Sequence, residues 1–214
     1  MPTKLHNPFK IISMFEEEVA YYTGAPYAVA TSNCTNALLL CCLYEKVKNK
    51  EVMIPKRTYI SVPQSISHAG GEVVFEDIDW KGIYQLKPFP IYDAAKRFTS
   101  GMYLPGNHMC LSFHLKKPIG IGKGGMILTD NKDAANWFIR ARYEGRSFDE
   151  PGISYAEDNI DIMGYNVYMT PEQAARGLSL LQLYPEHGPD HIETPEYRDL
   201  TTFPLFSKNK VKEK

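Results

Sequence analysis

The sequence has no excess of positive charge. Its 24 Lys and Arg residues are balanced by 25 Asp and Glu residues, and both signs are mixed along the 214 residues. Proteins that bind the phosphate backbone of nucleic acids carry a basic stripe or patch. The charge balance therefore predicts that nucleic acid is not a partner.

Long hydrophobic runs are absent as well. No uninterrupted apolar stretch approaches the roughly 18 to 20 residues that span a bilayer. The first ten residues, MPTKLHNPFK, lack the apolar centre of a signal peptide. We therefore expect a cytoplasmic protein that does not bind membranes. With a hydrophobic fraction of 43%, the chain still has the material for one large core.

Cysteine is scarce. The four cysteines, Cys34, Cys41, Cys42 and Cys110, stand in apolar surroundings and without the spacing of metal ligands. Free cysteine usually behaves as a small buried hydrophobe. We expect four reduced thiols and no metal site.

The sequence does contain an alternation of strand-like and helix-like segments. Residues 8–23 show a helical apolar period with Gly24 as the stop, and TNALLLCCLYEKV reads as a buried helix capped by Thr or Asn. The expected strands are YAVAT, EVMIP, GEVVFEDI, FPIYDA, MCLSF and GGMILTD, with further helices at about residues 60–69, 131–143 and 171–183. This order predicts an α/β layer fold whose sheet is mostly parallel at its start.

The last part of the chain differs in composition. Residues 184–214 are rich in proline and charge, which is typical of extended segments. We therefore expect one domain over residues 1–183, followed by an extended arm and tail over residues 184–214.

Small polar residues mark the junction of a strand and a helix at residues 31–40, TSNCTNALLL. The N–H groups and the dipole of a helix N-terminus attract anions, so a phosphate could bind at Cys34 and Thr35. A plain helix cap is the simpler interpretation of these ten residues alone.

Asp93, in PIYDAAKRF, stands at the C-terminal end of an apolar strand, where open α/β sheets carry ligand groups. A carboxylate in such a place needs a cation or several hydrogen-bond donors. A salt bridge to Lys96 or Arg97 is the simpler alternative to a role in ligand binding.

Two adjacent lysines, Lys116 and Lys117, follow the apolar strand in LSFHLKKPIGIGKGG. Low-dielectric surroundings favour the neutral amine of a lysine, which is a nucleophile toward carbonyls. A solvated loop lysine is the ordinary alternative.

Arg142 and Arg146, further along the chain, could meet a carboxylate or a diphosphate, but surface salt bridges are the simpler expectation.

The stretch GYNVYMTPEQAARGL, residues 164–178, combines a loop with a helix start. Thr170 fits the N-cap, Pro171 the first turn and Gln173 the partner in a capping box. Asn166, in the loop, need be nothing more than a turn residue.

Taken in order, these segments resemble the DegT/DnrJ/EryC1/StrS family of sugar aminotransferases, which use pyridoxal phosphate. The resemblance runs from about residue 8 to residue 183. Its most specific piece, SFHLKKPIGIGKGG, is similar to the family's Ser-Phe-His-x-x-Lys followed by Gly-Glu-Gly-Gly. Placing Ser112 and Gly122 on that pattern implies that Lys117 is the Schiff-base lysine and that Lys116 is its non-catalytic neighbour.

The resemblance implies both a fold and a set of cofactor contacts. The fold is the three-layer α/β architecture of aspartate aminotransferase, fold type I, with a mostly parallel mixed sheet and a small C-terminal domain that is absent or reduced. Asp93 would pair with the pyridine nitrogen of the cofactor, and Tyr59 would stack on its ring. The phosphate contacts implied are Cys34, Thr35 and Ser112.

Three further positions follow from the same resemblance. Lys96 stands beside the phenolic oxygen of the cofactor, where the family generally has glutamine or histidine. Lys123 stands where the family usually has glutamate. Asn166 resembles the asparagine that reaches the phosphate of the neighbouring subunit, which implies a homodimer with two shared sites.

The implied activity is amino transfer from L-glutamate to a ketosugar linked to a nucleotide, with pyridoxamine phosphate as the intermediate form of the cofactor. Lys117 would hold the cofactor and move the proton. Some relatives that perform dehydration have histidine at this position, so a lysine favours transamination. The alternatives are a non-catalytic dimeric scaffold descended from such an enzyme, and an aminotransferase for a keto substrate without a nucleotide.

Overall fold

The computed structural model describes residues 7, 9–147, 158–191 and 197–212. Its helices are α1 (Lys10–Thr23), α2 (Cys34–Tyr44), α3 (Ser61–His68), α4 (Lys132–Ala141) and α5 (Pro171–Leu181), with a 3₁₀ turn at Leu200–Thr202. Its strands are β1 (Tyr27–Thr31), β2 (Glu51–Pro55), β3 (Glu72–Glu76), β4 (Tyr84–Gln85), β5 (Ile91–Asp93), β6 (His108–Ser112), β7 (Gly125–Thr129) and β8 (Lys210–Lys212). The predicted alternation of strands and helices is confirmed.

The strands form two hydrogen-bonded groups, in the orders β1-β7-β6-β5-β4 and β2-β3-β8. An antiparallel bridge between Met53 and Lys87 joins the two groups. The pairs β2–β3, β3–β8 and β5–β6 are parallel, whereas β1–β7, β6–β7 and β4–β5 are antiparallel. The mixed sheet is confirmed, but parallel pairs make up only half of these six, since β7 runs antiparallel to both of its neighbours.

The helices lie in two layers, one on each face of the sheet. Along β1 the side chains alternate, so that Val29 packs with α2, α3 and α4 while Ala28 and Ala30 pack with α1 and α5. Strands β6 and β7 divide their apolar residues in the same way. This arrangement is the predicted three-layer fold.

Local sequence signals set several element boundaries. Helix α1 ends at Gly24, whose φ of +77° is the left-handed conformation that glycine adopts without a Cβ penalty. Helix α5 begins with the predicted capping box between Thr170 and Gln173. The four cysteines are free thiols, as expected. No helix in the described ranges is long and apolar enough to cross a membrane.

The described parts of the C-terminal segment pack back on the domain. Asp190 accepts two hydrogen bonds from Arg97, at 2.7 and 2.8 Å. Further on, Leu200 and Phe206 are buried in the core on the α2 side of the sheet. Strand β8 then pairs with β3, an addition to the sheet that the sequence did not predict.

Candidate active site

A cavity of about 900 Å³ opens where β5 and β6 end and α2 begins. Its lining includes seven of the residues proposed from the sequence to contact a cofactor, namely Cys34, Thr35, Tyr59, Asp93, Lys96, Ser112 and Lys117. Segments that are far apart in sequence therefore meet in one place. Asn166 is not among the lining residues.

One side of the cavity is the N-terminus of α2. The side chain of Asn33 caps the helix by accepting a hydrogen bond from the Asn36 amide at 2.8 Å. The first amides of a helix point out of its end, so those of Cys34 and Thr35 face away from the helix body and favour an anion. The Thr35 hydroxyl donates a hydrogen bond to Ser61 Oγ at 2.8 Å, which fixes its orientation.

Strand β7 approaches this helix end closely at Gly125. A Cβ atom at Gly125 would lie 2.3 Å from the carbonyl carbon of Asn33 and 2.5 Å from the amide nitrogen of Cys34. Glycine is therefore required here for the backbone of β7 to support the turn that begins α2. Gly125 is the last residue of the GKGG stretch. From the sequence alone, this stretch predicts a tight turn but not the close contact with the start of α2.

The Cys34 thiol lies between the helix end and the strand ends. Its sulfur is 3.6 Å from the carbonyl oxygen of Cys110. Burial raises the pKa of this thiol well above its usual value, and the charge of Asp93 raises it further, while the charge of Lys117 acts in the opposite direction. The neutral thiol is a packing group, and it lies within electrostatic range of both Asp93 and Lys117.

Asp93 is a buried carboxylate, with 5% of its surface exposed. The hydroxyl of Tyr84 donates to Asp93 Oδ2 at 2.8 Å, and the amide of Ala95 donates to Oδ1 at 2.9 Å. Thr58 holds the Tyr84 hydroxyl from the other side at 2.6 Å. Burial raises the pKa of Tyr84 well above its usual value, followed by the charge of Asp93, so Tyr84 stays protonated and able to donate.

The simpler interpretation of Asp93 included a salt bridge to Arg97. Arg97 pairs instead with Asp190 of the C-terminal segment. Asp93 is therefore held by Tyr84 and a backbone amide at the edge of the cavity rather than by this arginine.

The two neighbouring lysines differ in exposure. Lys117 is half-buried and Lys116 is exposed, although both line the cavity. The Lys117 amide donates to the carbonyl oxygen of His114 at 2.8 Å, which closes a turn directly after β6. The structure therefore gives Lys117 the more enclosed position of the two.

Aromatic side chains form the outer wall of the cavity. Tyr59 is 55% exposed, so it is not a core residue. The Nζ atom of Lys96 lies 4.7 Å from the ring centroid of Trp80 and 4.4 Å from that of Tyr197, within the range of cation–π contacts. Sequence reasoning missed Trp80, His191 and Tyr197 as lining residues, because each stands outside the recognisable motifs.

Two predictions made near the YEGRS stretch have different outcomes. Arg142 is fully buried and pairs with the buried Glu16, so the expectation of a surface salt bridge was wrong for this residue. The reason is that Arg142 caps α4 and its guanidinium also donates to the carbonyl oxygen of Ala30 at 2.7 Å, inside the core. Arg146 does form a salt bridge: it is half-buried, and its Nε atom lies 3.7 Å from Asp158 Oδ2.

Asn166 lies on the surface, in the loop before α5. Its side-chain amide donates to Glu144 Oε1 at 3.0 Å, and its backbone bridges to Tyr143. A role at the cofactor of its own subunit does not follow from this position.

The residues of the cavity fit pyridoxal phosphate. A buried carboxylate with two donors suits a protonated pyridine nitrogen, a helix N-terminus with hydroxyl groups suits a phosphate, and a half-buried lysine suits an aldehyde. With its three layers and mixed sheet, the molecule has the architecture of the fold type I pyridoxal-phosphate enzymes.

The chain belongs to the DegT/DnrJ/EryC1/StrS aminotransferase family, whose family model matches residues 4–105 and 104–187. It is 28% identical to GDP-perosamine synthase of Caulobacter vibrioides, over 83% of this chain and 58% of that protein. It is 25% identical to the spore coat polysaccharide biosynthesis protein SpsC of Bacillus subtilis, over 80% of this chain and 56% of that protein. The chain thus spans somewhat more than half the length of these relatives.

Solved structures agree with the fold. An aminotransferase of this family from Brucella abortus superposes with a TM-score of 0.73 at 16% identity, over 94% of this chain and 79% of that one. The protein ntda from Bacillus subtilis, solved with the bound cofactor PMP, superposes with a TM-score of 0.66 at 21% identity, over 80% of this chain and 48% of that one. The predicted family and fold type are both confirmed.

Proposed function

We propose that this protein is a pyridoxal-phosphate-dependent sugar aminotransferase that transfers an amino group from L-glutamate to a ketosugar carried on a nucleotide. The observation that carries the proposal is the meeting of Lys117, Asp93 and the N-terminus of α2 in one cavity. Similarity to GDP-perosamine synthase supports a sugar substrate. Similarity to the 3-oxo-glucose-6-phosphate:glutamate aminotransferase of Bacillus subtilis, at 23% identity, supports glutamate as the donor.

Pyridoxal phosphate, when bound, supplies an aldehyde that accepts the amino group and a ring that accepts electrons. The role of Asp93 is to keep a proton on the pyridine nitrogen of that ring. Tyr84 and the Ala95 amide orient its two oxygens, so the carboxylate presents a fixed charge inside the protein. Because both donors are already in place, the Asp93 carboxylate does not have to be reoriented during the reaction.

Lys117 has two tasks in this proposal. Its amine would bind the cofactor covalently, and, once released, the same Nζ atom would take the proton from the α-carbon of the amino donor. Its half-buried position, in a turn closed by the His114 carbonyl, would hold the amine within the cavity where the cofactor binds. Lys116, exposed on the same turn, does not share these tasks.

The phosphate of the cofactor would bind at the start of α2, with Thr35 and Ser112 as hydroxyl partners and the first amides of the helix as donors. Tyr59 would stack on the ring from the open side of the cavity. Lys96, on the outer wall, would stand beside the phenolic oxygen. Asn166 would act across a homodimer, which makes the working unit a dimer with two shared sites.

The direct test is the absorption spectrum of purified protein supplied with pyridoxal phosphate. We expect a visible band from the lysine-bound cofactor, and we expect L-glutamate to bleach it with release of 2-oxoglutarate. The Lys117→Ala variant should lose the band, whereas Lys116→Ala should keep it. A wild-type protein that stays colourless would refute the proposal and favour a non-catalytic scaffold.

A further inference from the structure

The loop between β6 and β7 brings three lysines to one cavity: Lys116, Lys117 and Lys123 all line it. Backbone hydrogen bonds close this loop from both ends. Leu115 donates to the Gly122 carbonyl at 3.3 Å, and Ile121 donates to the Phe113 carbonyl at 3.1 Å. The loop is therefore a folded structure that continues the strand pair.

The inner side of the loop is anchored in the core. Ile119 and Ile121 are buried, with 2% and 5% of their surface exposed. Between them, a Cβ atom at Gly120 would lie 2.5 Å from the carbonyl oxygen of Leu115, so the chain is closely packed at this point. Lys116 and Lys123, by contrast, are exposed. A firmly held backbone thus places two exposed lysines in the lining of the cavity.

The charges around the cavity are unequal. Among the described residues that line it, Asp93 supplies the carboxylate, and that carboxylate accepts hydrogen bonds from Tyr84 and Ala95. In the proposed function Lys117 is committed to the cofactor, and the helix end is committed to the cofactor phosphate. Lys96 is assigned there to the phenolic oxygen of the cofactor, so Lys116 and Lys123 are the lining lysines that the proposed function does not use. Cations at the mouth of a cleft concentrate the field and attract an anionic ligand.

We propose that Lys116 and Lys123 form a second phosphate subsite, which binds a phosphate group of the sugar substrate outside the transfer centre. This inference rests on the proposed function and adds a recognition element to it. A phosphate group carries more than one negative charge and several acceptor oxygens, so it can engage two ammonium groups at once. The phosphate can belong to a nucleoside diphosphate or to a sugar phosphate, and the test separates these two sources.

The test is calorimetric titration of cofactor-loaded protein with GDP and, separately, with glucose 6-phosphate. Wild type should bind one of the two probes, and Lys116→Gln/Lys123→Gln should bind that probe about tenfold more weakly. The affinity of wild type should also fall more steeply with salt than that of the double variant. The matched control is Lys132→Gln, at an exposed lysine that begins α4 away from the cavity, and it should bind like wild type.

Three results would overturn the subsite: wild type binds neither probe, the double variant binds as tightly as wild type, or Lys132→Gln weakens binding equally. A rise in the KM for L-glutamate without any loss of probe affinity would assign the two lysines to the donor carboxylates instead. Failure of the protein to take up pyridoxal phosphate would count against the proposed function alone. In that case the same titrations on the cofactor-free variants still decide whether Lys116 and Lys123 bind phosphate.

Discussion

At the scale of single residues, Arg142 is the largest fully buried side chain of the described structure. Its guanidinium pairs with Glu16 and also donates to the Ala30 carbonyl, while Glu16 accepts from the Ala30 amide at 2.6 Å. One ion pair thus ties α1, β1 and the end of α4 together. Removing one partner of such a pair leaves the other charge buried and uncompensated.

We predict that Arg142→Met lowers the free energy of unfolding by about 3 to 5 kcal/mol, the usual cost of breaking a buried ion pair. Urea denaturation followed by circular dichroism measures the change. Adding Glu16→Gln should recover part of the loss, since it removes the uncompensated charge. The control is Arg140→Met, because Arg140 is partly exposed and pairs with the exposed Asp161, so its removal should matter less. Equal losses for Arg142→Met and Arg140→Met would contradict this account.

At the scale of elements, the C-terminal segment is attached to the domain at several points. The Tyr22 hydroxyl donates to the Pro185 carbonyl at 2.7 Å, and the Ser100 amide donates to the Glu186 carbonyl at 3.0 Å. The Arg97–Asp190 pair follows, next to the His191 amide, which donates to the Lys96 carbonyl at 2.6 Å. These contacts carry the segment to the cavity, where His191 and Tyr197 line the wall.

We predict that Asp190→Ala loosens this segment, so that limited proteolysis cuts within residues 184–191 several-fold faster than in wild type. Mass spectrometry of the fragments identifies the cut.

The contact between Asp190 and Arg97 also depends on pH. The hydrogen bond from Arg97 lowers the pKa of Asp190 below its usual value. The contact is therefore present at neutral pH, and it is lost as pH falls through that lowered pKa. Asp79→Ala, at an exposed aspartate, serves as the control. Unchanged cutting in Asp190→Ala would show that the pair does not hold the segment.

The sequence predicted those elements that local patterns define. Gly24 ends α1 and Thr170 begins α5 through contacts within a few residues, and such contacts are readable from spacing alone. Strand β8 escaped prediction because all three of its residues are exposed, so its pairing with β3 leaves no apolar pattern. Strand β4 is only two residues long, which is too short for an apolar alternation, and it is defined by its pairing with β5.

The candidate site divides in a similar way. Asp93 and Lys117 stand in motifs that resemble a known family, and the structure brings both to one cavity, while their catalytic roles stay predictions. The buried state of Arg142 depends on Glu16, which is 126 positions away in the chain, and no local pattern reports such a distance. Trp80 and Tyr197 lie in irregular segments outside the helices and strands, and only the folding of the chain brings them to the cavity. Tertiary contacts of this kind lie beyond the reach of periodicity and motifs.

At the scale of the whole molecule, the proposal depends on a second copy of the chain. Asn166 lies on the surface beside Glu144 and does not line the cavity of its own subunit. A homodimer with shared sites would bring this loop to the cofactor phosphate of the other subunit. Asn166 is therefore the residue at which sharing can be tested.

We predict that Asn166→Ala weakens retention of pyridoxal phosphate during dialysis, because one phosphate contact is lost. We also expect dimers mixed from Asn166→Ala and Lys117→Ala chains to regain activity. Each mixed dimer would hold one intact site of two, so purified mixed dimers should show about half of the wild-type activity. Mixed dimers purified through two different tags provide the measurement. Stable mixed dimers with no more than half the activity of the Asn166→Ala dimer would contradict sharing across the interface.

The central claim of this account is that Lys117 is the residue that binds pyridoxal phosphate covalently. Borohydride reduction of the protein after incubation with the cofactor fixes that bond, and peptide mass mapping then locates the label. We predict a single labelled site at Lys117. A label on Lys96, Lys116 or Lys123 in its place, or no label at all, would contradict the account.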